Sequence, residues 1–219
     1  MSIASIAVVT GGGPVIGADG PFVAVVAADS GLDTALQLGL QPTVLVGDLD
    51  SISPEGLEWA GANGIPIHRH DPDKDDTDTA LAVRHAASMR SSTGATHLQL
   101  LGGDDATRLD HLLGTVICLG DPELELFDEV TAQLGATEVR VLHPGRRTEL
   151  HLEPARVFSL LALHGDCTGV QVCGARWPLR DAVIRSSSTL GVSNESIGGL
   201  TTIAVGSGVL TVIVPGVTS

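Results

Sequence analysis

Lysine and aromatic residues are almost absent from this chain. Its 219 residues include one lysine, Lys74, two Trp, three Phe and no Tyr, and the formal net charge is −14. Nucleic acid and anionic membrane surfaces are poor partners for such a chain, because both need Lys and Arg to neutralise phosphates. A Walker A nucleotide site is also excluded, because its lysine follows glycine whereas Lys74 follows Asp73.

Targeting and disulfide signals are missing as well. No basic segment precedes the first apolar run, and no apolar run approaches the roughly 18 to 20 residues of a membrane span. The three cysteines are an odd number without metal-site spacing, which indicates reduced thiols. We therefore expect a cytoplasmic protein with an aliphatic core, in keeping with 43% hydrophobic and 17% charged residues.

The first half of the chain alternates strand-like and helix-like segments. The pattern predicts strands over 3–10, 23–28, 43–46, 65–68 and 97–101. It predicts helices over 31–40, 54–63, 77–91 and 108–119. This alternation indicates an α/β fold, with a doubly wound and mostly parallel sheet that carries helices on both faces. Ligands of such sheets bind beyond the carboxyl ends of the strands.

The second half has a different pattern. After a predicted helix over 122–134, short strands are predicted over 138–142, 148–152, 157–163, 168–173, 200–205 and 209–214. Turn residues separate these strands, which is typical of a small antiparallel β-sandwich. We therefore predict two domains, an α/β domain over 1–136 and an all-β sandwich over 137–219.

Seven aspartates within 31 residues are the most informative feature that the chain does have. Asp48 and Asp50 directly follow the apolar run of the third predicted strand, and the other five lie within 71–78, at the start of a predicted helix. Carboxylates gathered in this way repel one another unless a cation joins them. Oxygen-rich ligand sets suit Mg²⁺, which at such positions usually serves phosphate chemistry. We therefore expect a phosphoryl- or pyrophosphoryl-transfer enzyme.

Three other interpretations of these aspartates need to be considered. A solvated acidic turn is the plainest of them. An EF-hand loop that begins at Asp71 is excluded, because its sixth and twelfth positions would be Asp76 and Ala82 instead of Gly and Glu. Phosphatases of the haloacid dehalogenase type carry Asp-x-Asp-x-Thr/Val after a strand, but here the fifth residue of that motif is Ile52.

A glycine turn that enters a helix supplies a candidate phosphate clamp. Gly102 and Gly103 follow the fifth predicted strand, and Arg108 lies at the start of the next helix. An arginine there adds a bidentate cation to the positive end of the helix dipole. An ordinary surface pair of arginine and aspartate is the alternative. The triple glycine at 11–13 either brings backbone N–H groups to a phosphate or forms a plain turn.

Together these segments resemble the thiamine pyrophosphokinase family over nearly the whole chain. Residues 28–31, Ala-Asp-Ser-Gly, resemble the family's Ala-Asp-Gly-Gly, and residues 47–52 resemble its Gly-Asp-Phe-Asp-Ser-Ile. Lys-Asp-Asp-Thr-Asp at 74–78 and Arg-Leu-Asp-His at 108–111 have counterparts in the same order. In the second half, residues 174–179 are similar to Gly-Leu-Lys-Trp-x-Leu, and Ser193 and Asn194 to a late Ser-Asn.

The resemblance implies an α/β catalytic domain and a thiamine-binding sandwich. The reaction would transfer a pyrophosphoryl group from MgATP to the hydroxyl of thiamine, in a homodimer with active sites at the subunit interface. The implied ligands of Mg²⁺ are Asp48, Asp50 and Asp78, and Arg108 and Asp110 complete the catalytic set. The implied nucleotide site comprises Asp29, Ser51, Lys74, Asp75, Thr77 and Arg108. The implied thiamine site comprises Asp110, Trp177, Ser193 and Asn194.

Two positions depart from the family pattern. Ala106 and Thr107 stand immediately before Arg108, where family members commonly carry two glycines, and Ser30 replaces a glycine. Side chains at 106 and 107 could narrow the approach of the backbone to phosphate. Two alternatives therefore stay open: a related pyrophosphokinase with another alcohol acceptor, for example a pterin, and a non-catalytic thiamine- or nucleotide-binding sensor.

Overall fold

Alternating strands and helices build the first of two units in this protein. The computed structural model describes residues 4–16 and 20–216. The first unit comprises the residues up to Leu119 together with Thr131–Ala136, and the second comprises Gly120–Val130 together with the residues from Thr137 onward.

The first unit contains a largely parallel sheet. Its strands lie in the order β6-β5-β1-β2-β3-β4, and the pairs β5–β1, β1–β2, β2–β3 and β3–β4 are all parallel. The strands are β1 (Ser5–Val9), β2 (Phe22–Ala28), β3 (Val44–Gly47), β4 (Ile67–Arg69), β5 (His97–Gly102) and β6 (Glu129–Leu134). The chain moves outward from β1 to β4 and then returns to the other side of β1, so the strand order reverses between β1 and β5. Such a reversal opens a crevice at the carboxyl ends of the strands.

The helices of this unit are α1 (Gly31–Gln37), α2 (Pro54–Asn63), α3 (Asp78–Thr93) and α4 (Leu109–Cys118). Capping fixes both ends of α2 and α3. The hydroxyls of Ser53 and Thr77 each accept a backbone N–H three residues later, and the left-handed Gly64 and Gly94 end the helices. Across the described ranges, none of the helices combines the length and apolar character that crossing a membrane requires.

Both faces of this sheet are buried. Ala7 and Val9 of β1 pack in one apolar cluster with Ala35 of α1. Ile6 and Val8, which alternate with them along the strand, are fully buried as well. Since successive strand residues point to opposite faces, a layer must cover each face. α3 buries Ala82, Val83 and Ala86. This is the doubly wound arrangement that the sequence predicts.

The second unit is an all-β sandwich. Its strands are β7 (Thr137–Leu142), β8 (Arg147–Leu152), β9 (Val157–Leu161), β10 (Cys167–Cys173), β11 (Leu179–Ile184), β12 (Asn194–Glu195), β13 (Gly199–Ala204) and β14 (Leu210–Val214). One layer has the order β12-β9-β14-β7 and the other β11-β10-β13-β8, with antiparallel pairs in both. A shared core joins them and includes Phe158, Leu160, Ile184, Ile203 and Val212.

The predicted fold class is confirmed, and one predicted element is wrong. The helix over 122–134 is a short 3₁₀ helix, Pro122–Leu126, followed by strand β6. Within β6 the buried residues alternate, since Val130, Ala132 and Leu134 are buried and their neighbours are not. The period-two pattern identifies a strand, and pairing beside β5 overrides the helix propensity of the segment. Strands β11 and β12 were also not predicted.

Candidate active site

Strand ends bring the polar residues of the first unit to one edge of its sheet. Thr10 follows β1, Asp29 follows β2, Asp48 follows β3 and Gly103 follows β5. Since these strands are parallel, their carboxyl ends meet at the same edge. At the reversal between β1 and β5 the backbones approach so closely that a Cβ on Gly103 would collide with the carbonyl group of Gly12.

Three carboxylates come together at this edge. One oxygen from each of Asp29, Asp48 and Asp78 lies within 4.8 Å of the other two. Asp48 is 9% exposed and Asp29 is 6% exposed, so water screens their mutual repulsion poorly. Asp78 is the first residue of α3. We call Asp29, Asp48 and Asp78 the carboxylate cluster.

Lys74 is bound to two members of the carboxylate cluster. Its Nζ lies 2.5 Å from Asp48 Oδ2 and 3.2 Å from Asp78 Oδ1. The hydrogen bond from Lys74 holds the pKa of Asp48 below its ordinary value, although burial opposes this. Burial disfavours the charged form of Lys74, but its bonds to the two carboxylates outweigh burial and raise its pKa. Lys74 therefore stays charged at neutral pH.

Asp29 is the member of the cluster that lacks a cation. Its Oδ2 accepts hydrogen bonds from the Ser51 N–H at 3.3 Å and the Ser51 hydroxyl at 2.5 Å, while its buried Oδ1 has no hydrogen-bond partner. Burial raises the pKa of Asp29, and the charges of Asp78 and Asp50 raise it further. A buried acceptor without a donor, beside two more carboxylates, fits a divalent cation that prefers oxygen ligands.

The backbone around the cluster adopts conformations that most residues avoid. Asp29 has φ 48° and Leu49 has φ 69°. Non-glycine residues in this region cost about 1–3 kcal/mol each, and they concentrate at functional sites. Gly47 has φ 151°, and a Cβ there would lie 3.1 Å from Asp78 Oδ1. The close approach of α3 to β3 therefore depends on glycine at this position.

A cavity of about 330 Å³ opens beside the cluster. Its wall combines backbone from the glycine turns with carboxylates, hydroxyls and two cationic side chains, and all of it belongs to the first unit. The lining residues are Thr10, Gly11, Gly12, Ala28, Asp29, Ser30, Ser51, Pro72, Lys74, Asp76, Thr77, Asp78, Thr79, Gly103, Asp105, Arg108, His111, Leu112, Thr115 and Leu134.

Arg108 lies at the rim of this cavity in a bidentate pair with Asp110. Its Nε and Nη2 donate to the two Asp110 oxygens at 3.1 and 2.9 Å, and this lowers the pKa of Asp110 to about 2. Both side chains are more than half exposed. The surface pair that was the alternative for Arg108 therefore forms, and Arg108 also lines the cavity. Thr107, one of the two departures from the glycine pair, donates its N–H and hydroxyl to Asp105.

The structure brings most of the predicted first-unit residues together. Those that line the cavity are Asp29, Ser51, Lys74, Thr77, Asp78 and Arg108. Asp48 is in the cluster, bonded to Lys74. Asp50 lies beside Asp48 and donates its N–H to Asp48 Oδ1 at 3.3 Å, but its side chain is exposed and the cluster contains Asp29 in its place. Asp75 and Asp110 are exposed and do not line the cavity.

The predicted second-unit residues form a compact group of their own. Asn194 is buried, and its side chain bonds to both backbone polar groups of Trp177. Trp177 is half exposed, and the guanidinium of Arg176 lies 4.7 Å from its ring centroid. Ser193 has φ 58° and donates its N–H to the hydroxyl of Ser159. Asn194 therefore positions the backbone of the half-exposed Trp177.

Sequence reasoning missed some of the cavity wall. Leu134 lines the cavity, but its segment was predicted as a helix. Thr10 follows β1 as Asp29 follows β2, so the position of strand ends was a usable signal for it. Leu112 and Thr115 face the cavity from α4, and no motif marks them in the sequence.

Comparisons with known proteins match both units. The family model "Thiamin pyrophosphokinase, catalytic domain" matches residues 22–125, and "Thiamin pyrophosphokinase, vitamin B1 binding domain" matches residues 147–210. The chain is similar to thiamine pyrophosphokinase of Bacillus subtilis strain 168, with 26% identity over 193 residues that cover 86% of this chain and 85% of that protein.

Solved structures carry the same fold. A crystal structure of thiamin pyrophosphokinase from Geobacillus thermodenitrificans superposes with a TM-score of 0.73 at 25% identity, covering 98% of this chain and 99% of that one. The crystal structure from Bacillus subtilis gives a TM-score of 0.74 at 23% identity, with 98% and 100% covered.

Proposed function

The chain belongs to the thiamin pyrophosphokinase family, and we propose that it transfers the pyrophosphoryl group of ATP to the hydroxyl of thiamine. The alcohol oxygen forms a bond to the β-phosphorus, and the bond from that phosphorus to the oxygen bridging to the α-phosphate breaks. AMP leaves with the bridging oxygen, the proton of the alcohol is released, and thiamine diphosphate is the second product.

The observation that carries this proposal is the carboxylate cluster beside a cavity of about 330 Å³. The wall joins acidic oxygens from Asp29 and Asp78 to the cations of Lys74 and Arg108. Attack of a neutral alcohol on a phosphoanhydride needs charge neutralisation and in-line positioning more than a nucleophilic side chain. A wall of this composition supplies both requirements.

Mg²⁺ is the cation that this donor set suits. We propose that Asp48 and Asp78 hold it, with Asp29 as a buried third carboxylate and Asp50 at the exposed side of Asp48. When bound, it supplies neutralisation of phosphate charge and a fixed orientation for the oxygens that it contacts. The unpartnered Asp29 Oδ1 supports this assignment, because a buried carboxylate oxygen without a donor is costly unless a cation is nearby.

The nucleotide site is proposed at the cavity. Lys74 and Arg108 would contact the phosphates, while Ser51, Asp75 and Thr77 lie on the segments that flank them. The backbone of Gly12 supports this placement, because no atom lies within 4 Å of an added Cβ there, and a wall without side chains lets N–H groups approach a phosphate.

Thiamine is proposed to stack on Trp177. The half exposure of Trp177 and the two hydrogen bonds of Asn194 to its backbone support this role. The formal charge of −14 attracts the cationic thiazolium ring. Ser193 and Asp110 would contact or orient the substrate.

A homodimer with shared active sites is part of this proposal. Leu109, Leu113 and Ile117 are spaced four residues apart on α4 and are 58%, 47% and 52% exposed, so one apolar face of this helix is about half exposed to solvent. A dimer interface would bury such a face.

Complementation between inactive variants tests the shared site. Asp48→Asn and Trp177→Ala proteins are mixed after subunit exchange, and activity is compared with each variant alone. Recovery of about one quarter of the wild-type rate is expected if each site takes Asp48 from one subunit and Trp177 from its partner, since half of the statistical mixture is heterodimer with one intact site. No recovery would assign both residues to sites within single chains.

Product analysis tests the reaction itself. The purified protein is incubated with MgATP and thiamine, and nucleotides and thiamine esters are resolved by chromatography. AMP formed in step with thiamine diphosphate is the expected result. ATP consumption only with a different alcohol, for example a pterin, would retain the mechanism and replace the substrate. Thiamine binding without turnover would indicate a sensor.

A cytoplasmic location is also proposed. The three cysteines, all within the described residues, form no disulfide bond, as expected in a reducing compartment. Cell fractionation with an antibody against the protein tests this, and recovery with periplasmic or membrane markers would contradict it.

A further inference from the structure

We propose that Lys74 acts as an exchangeable counterion of the carboxylate cluster, released by the entering divalent cation and then transferred to the phosphate chain of the nucleotide. This inference rests on the proposed function, because it assigns a second binding position to a residue of the same site. It makes Lys74 a positioning residue that couples metal binding to nucleotide binding.

The geometry around Nζ is the first support. The ammonium bridges Asp48 Oδ2 at 2.5 Å and Asp78 Oδ1 at 3.2 Å, so it contacts two of the three carboxylates that would hold the cation. A metal ion that binds the same oxygens must displace the ammonium from them, because two cations cannot share these contacts without strong repulsion. Lysine suits such exchange, since its charge sits on a flexible four-carbon stem.

The position of Lys74 in the cavity wall is the second support. Its side chain is 14% exposed and it lines the cavity together with Arg108 and the glycine turns. A lysine released from the cluster therefore remains inside the space assigned to phosphates. An unpaired buried ammonium is costly, so the release of Lys74 weakens binding of the metal on its own, and a phosphate chain completes the exchange by supplying a new partner.

Substitution of Lys74 gives a direct test through metal affinity. Mn²⁺ binding without nucleotide is measured by electron paramagnetic resonance for the wild type and for Lys74→Gln. We expect Lys74→Gln to bind Mn²⁺ at least about tenfold more tightly, because the competing charge at the same oxygens is gone. It should bind a non-hydrolysable ATP analogue with Mn²⁺ more weakly than the wild type, because the phosphate contact is lost.

Arg84→Gln is the matched control. Arg84 pairs at 2.6 Å with Asp76, which lines the same cavity and is not a member of the carboxylate cluster. Its loss removes one positive charge from the neighbourhood and should change Mn²⁺ affinity by less than about threefold. Equal or weaker Mn²⁺ binding by Lys74→Gln, or an equal gain in Arg84→Gln, would overturn the proposal.

A second measurement needs no variant and covers the case in which Lys74→Gln does not fold. Because Lys74 is the only lysine of the chain, acetic anhydride modifies one side-chain amine, and peptide mass spectrometry reports its rate. The rate should be slow in the metal-free protein, rise severalfold with saturating Mn²⁺, and fall again when the nucleotide analogue is added. A rate that saturating Mn²⁺ leaves unchanged would overturn the exchange.

These readouts are independent of turnover. A protein that forms no thiamine diphosphate but shows the Mn²⁺ and acetylation effects would contradict the proposed reaction while retaining the counterion exchange. A protein that turns over normally without these effects would support the proposed reaction and contradict the counterion exchange.

Discussion

Asn194 holds Trp177 through both ends of its side-chain amide. Its Nδ2 donates to the Trp177 carbonyl at 2.8 Å, and its Oδ1 accepts the Trp177 N–H at 3.2 Å. The same Oδ1 accepts the Glu195 N–H at 2.8 Å. One buried side chain therefore supplies hydrogen-bond partners to three backbone groups, and it holds the backbone of the half-exposed Trp177.

Replacing Asn194 by alanine tests this hold. Two backbone groups of Trp177 would lose their partner, so we expect a loss of about 1–3 kcal/mol in the free energy of unfolding. Thiamine affinity should fall more than ATP affinity, measured by titration calorimetry. Asn63→Ala is the matched control, because Asn63 also donates to a tryptophan carbonyl, that of Trp59, but at the surface. Equal effects of both substitutions would contradict a special role for Asn194.

Asp48→Asn tests the carboxylate cluster. The variant loses a charge that both Lys74 and the proposed Mg²⁺ need, so we expect at least about a hundredfold fall in the rate of thiamine diphosphate formation. Asp73→Asn serves as the control, because Asp73 is exposed in the same acidic segment and does not line the cavity. Steady-state kinetics at saturating Mg²⁺ compare them. An active Asp48→Asn protein would remove Asp48 from the metal site.

The aspartate motifs and strand ends were readable in the sequence because each follows from local pattern. Asp48 follows a buried apolar run, and such runs end at the ligand edge of a parallel sheet. Strand ends also place Asp29 at this edge, but its place in the cluster instead of Asp50 could not be predicted from local pattern. β6 was wrongly predicted as a helix, because the helix propensity of this short segment competes with its period-two alternation.

The role of Asn194 illustrates the same limit. Its motif placed it beside Trp177 as a direct contact for substrate, but its amide is used by backbone. The conformation of the loop decides which atoms of a polar side chain already have a hydrogen-bond partner in the protein. The left-handed φ of 58° at Ser193 turns the chain towards Trp177, and nothing in a serine predicts that conformation.

Gly47→Ala tests the contact between β3 and α3. A Cβ at this position would lie 3.1 Å from Asp78 Oδ1 and 3.2 Å from Asp29 Cβ, in a backbone with φ 151°. We expect a loss of about 1–3 kcal/mol in stability and weaker Mn²⁺ binding, since two cluster members must shift.

Gly61→Ala is the opposite case and the control for Gly47→Ala. Gly61 lies inside α2, with nothing within 4 Å of an added Cβ. Alanine there should stabilise the protein by up to about 1 kcal/mol without changing metal affinity. Chemical denaturation of both variants gives the comparison, and similar losses in the two would contradict the steric argument.

His85 should make the protein lose stability as the pH falls below 6.5, the ordinary pKa of a histidine. Its ring centroid lies 4.5 Å from that of His68, and burial, followed by repulsion from His68 and His70, lowers its pKa from the ordinary value of 6.5. The unfolded chain therefore binds a proton more readily than the folded protein. The stabilisation that neutral His85 provides is fully present above the pKa of His85 in the unfolded chain. It is lost as the pH falls from there through the lower pKa of His85 in the folded protein.

Glutamine at position 85 removes that titration, so the melting temperature of His85→Gln should fall less than that of the wild type between pH 7 and pH 5. His111→Gln is the control, because the His111 side chain is 60% exposed and lies on α4. Calorimetric scans in EDTA across this range keep metal binding out of the comparison. Parallel wild-type and His85→Gln curves would show that burial of His85 carries no proton linkage, whereas a shallower curve only in His85→Gln ties the acid sensitivity to the contact between β4 and α3.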